Sequence, residues 1–143
     1  MKIVVFASSE DSVRSLIAAT FFDAFTLPTL IRARPLAARA QGTPPEVTEA
    51  MQEVGLVAPP QPQVLSPGAL AGATLTIRFG DLRLPSDLPG ERWDVMLPGG
   101  ASVEQVRPIR DAIRRRVWRL VALHGWYRLQ PAQAIRAQRA GNA

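Results

Sequence analysis

The first fifteen residues constrain the fold most, because a short apolar run there leads through a polar loop into an apolar helical pattern. The run over residues 2–7 is rich in β-branched side chains and bounded by polar ones, which predicts a buried strand. Apolar positions at helical spacing then predict a helix over residues 12–25. The free N–H groups and positive dipole end at such a helix start attract anions. The layout is that of a phosphate-binding loop, and the candidate anion-binding residues are Ser8, Ser9, Glu10, Asp11, Ser12, Val13, Arg14 and Ser15.

Predicted strands and helices alternate along the rest of the chain. Strands are expected over residues 29–34, 73–79 and 93–97, and helices over residues 45–54 and 102–124. The second strand is expected to end before Pro35, and the proline-rich segment 58–67 to form a surface connector. The alternation predicts an α/β fold: a single four-stranded parallel sheet with helices on both faces, in a flavodoxin-like three-layer sandwich.

Composition excludes several classes of function. The 143 residues include no cysteine and one histidine, which rules out disulfides, thiolate–metal sites and a cysteine nucleophile. A histidine-based metal site is not expected either, and we predict no cofactor. No apolar run is long enough to span a membrane or to form a signal peptide, so we expect a cytoplasmic protein. Residues 1–128 should form one domain and residues 129–143 a basic, flexible tail.

The net charge of +5 is concentrated near the C-terminus. Residues 103–143 hold nine arginines and two acidic residues, whereas the other residues hold eight basic and ten acidic ones. A nucleic acid or an acidic partner would suit this charge. Arginine outnumbers lysine sixteen to one, which favours the solvated face of an arginine-rich helix instead. Trp118 and Trp126 among the arginines suit base stacking, but packing against the tail or a dimer partner is the preferred interpretation.

The loop resembles that of the low-molecular-weight protein tyrosine phosphatases and of their thioredoxin-coupled arsenate reductase branch. That family's loop has a cysteine, five residues, an arginine and a serine; Ser8, Ser12, Arg14 and Ser15 fall in register with it. The similarity continues over about residues 2–125, through three further segments: VTEAMQEVGL at 47–56, WDVMLP at 93–98 and VRPIRDAIRRRV at 106–117. It implies a phosphotyrosine protein phosphatase I-like fold.

The residues that carry the family's chemistry are absent. The resemblance implies a cysteine thiolate held by the loop's N–H groups and arginine, and an aspartic acid that protonates the leaving group. Ser8 stands at the cysteine position, and Gly99 and Gly100 at the Asp-Pro pair. Two relay cysteines of the arsenate reductases correspond to Gly80 and Leu84. Neither usual mechanism is therefore expected here.

Anion binding by the loop has arguments on both sides. Arg14 and the backbone amides support it, whereas Glu10 and Asp11 oppose it and can pair with Arg14. A loop satisfied from within is the preferred expectation. Asp81 and Asp87 are more simply turn residues than replacement acids. His124 is expected on the apolar face of the last helix, as a packing or C-terminal residue rather than a ligand.

Three functions remain open. The preferred one is a catalytically inactive relative of the family, acting through a protein partner or a second copy of itself. The second is a divergent enzyme that uses Ser8 or the loop carboxylates on a phosphate- or arsenate-like substrate. The third is a binder of nucleic acid or of an acidic partner through the C-terminal helix and tail.

Overall fold

The computed structural model describes residues 1–9, 11–39, 42–59, 61–84, 88–96 and 102–128. Its elements, in chain order, are β1 (Lys2–Ser8), α1 (Val13–Phe25), β2 (Ile31–Ala37), α2 (Pro45–Gln52), β3 (Gln63–Val64), α3 (Pro67–Leu70), β4 (Leu75–Phe79), β5 (Gly90–Trp93) and α4 (Val103–His124). Strands and helices alternate as predicted. No helix in the described ranges is long and apolar enough to cross a membrane.

The sheet is parallel, with the strand order β3-β2-β1-β4-β5. The α/β prediction is confirmed, but the sheet has five strands rather than four. The additional strand, β3, has two residues at the sheet edge, where the N–H of Leu65 donates to the carbonyl of Ala37 over 2.8 Å. Its proline-dense surroundings hid it from sequence patterns, and an edge is where such a segment can pair.

Two predicted strand boundaries are wrong. Strand β2 continues through Pro35, which lies opposite Phe6 of β1. Backbone groups point to alternate sides along a strand, so Pro35 turns its nitrogen toward the β3 side, just before β3 begins to pair at Leu36. The absence of an N–H group at Pro35 therefore removes no hydrogen bond between β2 and its neighbouring strands. Strand β5 ends at Trp93, where a strand was expected to begin, because its polar residues resemble a loop and only sheet pairing makes them a strand.

Alternating side chains of β1 divide the interior into two cores. Val4 and Phe6 join a large core that also contains the buried faces of α1, α2 and α4. Val5 and Ala7 face the other way into a smaller cluster, whose buried members include Leu70 of the single-turn α3. The three long helices thus share one face of the sheet, while α3 and loop segments cover the second face.

Helix α4 and the residues after it close the domain against α1. The Oγ of Ser102 accepts a hydrogen bond from the N–H of Gln105 and caps the start of the helix. The helix runs without interruption through Pro108. After it ends, Tyr127 forms an antiparallel bridge with Thr26 at the end of α1. The predicted tail, residues 129–143, lies outside the described residues.

Both C-terminal tryptophans make aromatic contacts within the domain. Trp118 packs against Phe25 and Tyr127, at ring-centroid distances of 5.6 and 6.3 Å, so it packs within the domain. Trp126 stacks on His124 at 4.2 Å. His124 is exposed, so its predicted place on the apolar face is wrong. It is the last residue of the helix, which agrees with the alternative prediction of a C-terminal residue.

Candidate functional site

The candidate loop lies at the carboxyl end of β1, the central strand of the sheet. Strand β1 ends at Ser8, which is in register with Ala37 of β2 and Phe79 of β4. Helix α1 begins five residues later, at Val13. Ligands of open parallel sheets bind outside the carboxyl ends of the strands, so the loop occupies the position where a site is expected.

Ser8, at the position of the family's nucleophile, is completely buried. Its Oγ accepts a hydrogen bond from the backbone N–H of Ser15 over 3.0 Å. The hydroxyl of Ser15 in turn donates to the carbonyl of Ser12 over 3.2 Å. Hydrogen bonds among the three serines therefore connect the end of β1 to the first turn of α1. In this arrangement the hydroxyl oxygen of Ser8 faces a backbone N–H donor.

Arg14 is held by the loop itself. Its Nε and Nη2 both donate to Oδ2 of Asp11, over 3.1 and 2.9 Å, and its Nη1 donates to the carbonyl of Val95 over 2.9 Å. The guanidinium lies 5.7 Å from the ring centroid of Phe79, and the residue is only 5% exposed. All three guanidinium nitrogens are thus engaged, and an aspartate takes the place of a bound anion.

Asp11 has a second role at the start of α1. Its Oδ1 accepts the backbone N–H of Arg14 over 3.0 Å, so the carboxylate satisfies one of the free N–H groups of the helix. Its predicted pairing with Arg14 is confirmed. Glu10, the other carboxylate expected to pair there, lies outside the described residues.

Gly80 is a contributor to the loop whose importance the sequence did not reveal. It has a φ of +80°, and a Cβ placed on it would collide with Oγ of Ser9 and lie 3.4 Å from Nη2 of Arg14. The segment after β4 therefore packs directly against the first loop. The resemblance matched Gly80 to a relay cysteine, but a side chain there would have to displace the hydroxyl of Ser9 and adopt a positive φ.

Among the positions considered for a proton donor, the structure describes Asp81. It pairs with Arg92 at the neighbouring strand end, over 3.3 Å, and is 94% exposed. Gly99, Gly100 and Asp87 lie outside the described residues. In the described ranges, no three histidine, aspartate or glutamate side chains group as they would around a metal ion.

Solved structures with the same fold are arsenate reductases and phosphatases. Arsenate reductase from Archaeoglobus fulgidus DSM 4304 is 22% identical, with a TM-score of 0.69, over 83% of this chain and 98% of that chain. YwlE arginine phosphatase from Geobacillus stearothermophilus is 17% identical, with a TM-score of 0.70, over 87% and 94%. A cysteine-to-serine mutant of YwlE with a phosphorylated active-site serine is 17% identical, with a TM-score of 0.67, over 85% and 94%. No protein-family model and no curated protein matches the sequence. The chain therefore has the low-molecular-weight phosphatase and arsenate reductase fold.

Proposed function

We propose that this chain is a catalytically inactive relative of the phosphatases and arsenate reductases whose fold it shares, and that it acts as a binding or regulatory module. The observation that carries the proposal is the carboxylate of Asp11 on the guanidinium of Arg14. A loop that binds oxyanion substrates needs this guanidinium free. Here the carboxylate of Asp11, in the same loop, accepts hydrogen bonds from it.

Electrostatics makes this self-pairing an obstacle to substrate binding. A unit charge about 4 Å from another contributes about 4 kcal/mol at an effective dielectric constant near 20. An incoming phosphate or arsenate would meet the negative charge of Asp11 at that range, or would have to displace it from Arg14. We therefore expect weak binding of phosphate or arsenate to the loop, whose pairing of Asp11 with Arg14 stabilises the fold instead.

The nucleophile position supports the same conclusion. A serine hydroxyl needs a base to take its proton before it attacks. The hydrogen bond described for Ser8 is one that its Oγ accepts, from the N–H of Ser15. In the described part of the chain, no carboxylate or imidazole accepts a hydrogen bond from Ser8. A hydroxyl in this setting stays protonated and unreactive.

Turnover of an aryl phosphate tests the proposal directly. We expect no hydrolysis by the native chain, and none by Asp11→Asn. The Asp11→Asn variant should nevertheless gain phosphate-dependent shifts of the Ser12 and Ser15 amide resonances, because it releases Arg14. Glu49→Gln, which removes an exposed carboxylate of α2, is the matched control and should gain none. Hydrolysis by the native chain that Ser8→Ala abolishes would overturn the proposal.

A second candidate is a divergent enzyme in which Ser8 accepts a phosphoryl group. One observation favours it: a solved structure with this fold, the cysteine-to-serine mutant of YwlE, has a phosphorylated active-site serine. Intact-mass measurement after incubation with phosphoarginine or an aryl phosphate tests it. A gain of one phosphoryl group that Ser8→Ala abolishes would support this candidate, whereas an unchanged mass would favour the inactive module.

Contacts of the C-terminal arginines favour their structural interpretation over nucleic-acid binding. Most of the arginines from α4 onward that the structure describes contact the chain's own carboxylates, aromatic rings or carbonyls. They are Arg107 and Arg110 with Glu53, Arg114 over Phe21, Arg116 over Trp93, and Arg128 with the end of α1. Guanidinium groups held in this way are less available to a phosphate backbone.

A further inference from the structure

A cleft beside the first loop is lined by arginines that the proposed function does not use. It lies at the carboxyl ends of β4 and β5 and has a volume of about 480 Å³. We call it the arginine cleft; its lining residues are Arg78, Gly80, Asp81, Leu82, Arg83 and Arg92. This volume lies in the range of sites for small molecules.

Strand register brings two of the arginines together. Arg78 of β4 and Arg92 of β5 are direct partners in the parallel pair. Their neighbours Phe79 and Trp93 belong to the large core, so alternation turns both arginines to the opposite face of the sheet. Like charges directly opposite each other destabilise a sheet. A fold tolerates such a pair more easily when an anion binds between the charges.

The carboxylates near the cleft do not neutralise it. Its lining has three guanidinium groups against the single carboxylate of Asp81. Arg92 contacts Asp81 and, outside the lining, Asp94, each at 3.3 Å, but these carboxylates are 94% and 83% exposed. Exposed pairs of this kind contribute little. Arg78 is half-buried, and no carboxylate in the described part of the chain pairs with it.

We propose that the arginine cleft binds the phosphate group of a small molecule. A phosphate monoester has a charge of about −1.5 to −2 near neutral pH, which suits a lining of three guanidinium groups and one carboxylate; the excess is still positive when Asp94 is counted. The planar fork of a guanidinium suits two phosphate oxygens at once, and Arg78 and Arg92 are in register on adjacent strands. Leu82 offers an apolar surface to the rest of the ligand.

The arginine cleft is separate from the Ser8–Ser15 loop, although Gly80 borders both. Gly80 lines the cleft, and its other side abuts Ser9 and Arg14. A ligand in the cleft therefore needs neither release of Arg14 from Asp11 nor catalysis by Ser8. The inference goes beyond the proposed function, and each can fail without the other.

Calorimetric titration of the full chain with glycerol 3-phosphate and with inorganic phosphate, at constant ionic strength, tests the cleft. We expect saturable binding of one phosphate group per chain. Arg78→Gln and Arg83→Gln should each weaken it about tenfold or more, because each removes a charge-assisted hydrogen bond. Arg115→Gln removes an exposed arginine of α4 and is the matched control; it should leave binding unchanged. Tighter binding of the ester would assign the site to a phosphorylated small molecule, and equal binding to free phosphate.

Three results would overturn the inference. The first is the absence of saturable heat with either probe at millimolar concentration. The second is a response that sodium chloride reproduces at the same ionic strength. The third is binding that Arg78→Gln and Arg83→Gln leave intact and that Asp11→Asn strengthens, which would place the anion on Arg14. Arg83 is exposed, so Arg83→Gln keeps the test valid even if Arg78→Gln disturbs the sheet.

Discussion

Arg14, in the first turn of α1, and Arg78, near the end of β4, have opposite surroundings. Arg14 is buried, and its three guanidinium nitrogens are bound by Asp11 and by the carbonyl of Val95. Arg78 lies opposite another arginine and has no carboxylate partner in the described residues. Gly80 borders both settings. An arginine at the family's position is therefore not sufficient for an anion site, because the donors of the guanidinium must also be free to bind the anion.

The largest expected difference between the two arginines is in stability. Arg14→Met should lower the free energy of unfolding by about 3 kcal/mol, because it leaves the carboxylate of Asp11 without its buried partner. Arg78→Met should change it by less than about 0.5 kcal/mol, because the variant relieves a like-charge pair and breaks no described ion pair. Urea unfolding of both variants measures the contrast. Equal losses would contradict the comparison.

Substitution of Gly80, which borders both arginines' surroundings, should give the next largest effect on stability. Gly80→Ala should cost about 2 kcal/mol, since the residue keeps a positive φ and the new Cβ forces the hydroxyl of Ser9 to rotate away. Gly72 is a matched control because its φ of +76° is nearly the same and nothing lies within 4 Å of a Cβ there. Gly72→Ala should cost about 1 kcal/mol, from the backbone conformation alone. Similar losses in the two variants would show that the loops do not pack closely at Gly80.

The smallest effect concerns a second carboxylate bound by arginines, Glu53. Hydrogen bonds from Arg107 lower the pKa of Glu53 from 4.5 to about 2, with Arg110 adding to the effect. A lowered folded-state pKa means that the stabilisation is fully present above pH 4.5 and is lost as the pH falls toward 2. Glu53→Gln should therefore flatten the decline in stability across that window. Urea unfolding between pH 2 and pH 6 checks this, and a parallel decline in the variant would contradict it.

The sequence predicted the parts of the fold and site that depend on neighbouring residues. The strand, loop and helix over residues 2–25 follow from local apolar periodicity, and Asp11 reaches Arg14 because the two residues are three positions apart. The remaining features depend on distant pairing. Strand β3 exists only through its bond to β2, and the approach of Gly80 to Ser9 joins segments about seventy positions apart. The opposition of Arg78 and Arg92 follows from strand register, which no short motif reveals.

The closure of the C-terminal segment on α1 has a consequence for how the chain is made. Arg128 donates from its backbone N–H to the carbonyl of Phe25 and from its Nε to the carbonyl of Thr26, across a sequence separation of 102 residues. Contacts of such separation form late, because the intervening chain must first be ordered. In a nascent chain, the end of α1 can therefore form these hydrogen bonds only after α4 and Arg128 have been synthesised. We expect the domain to fold only after nearly all of it has been synthesised.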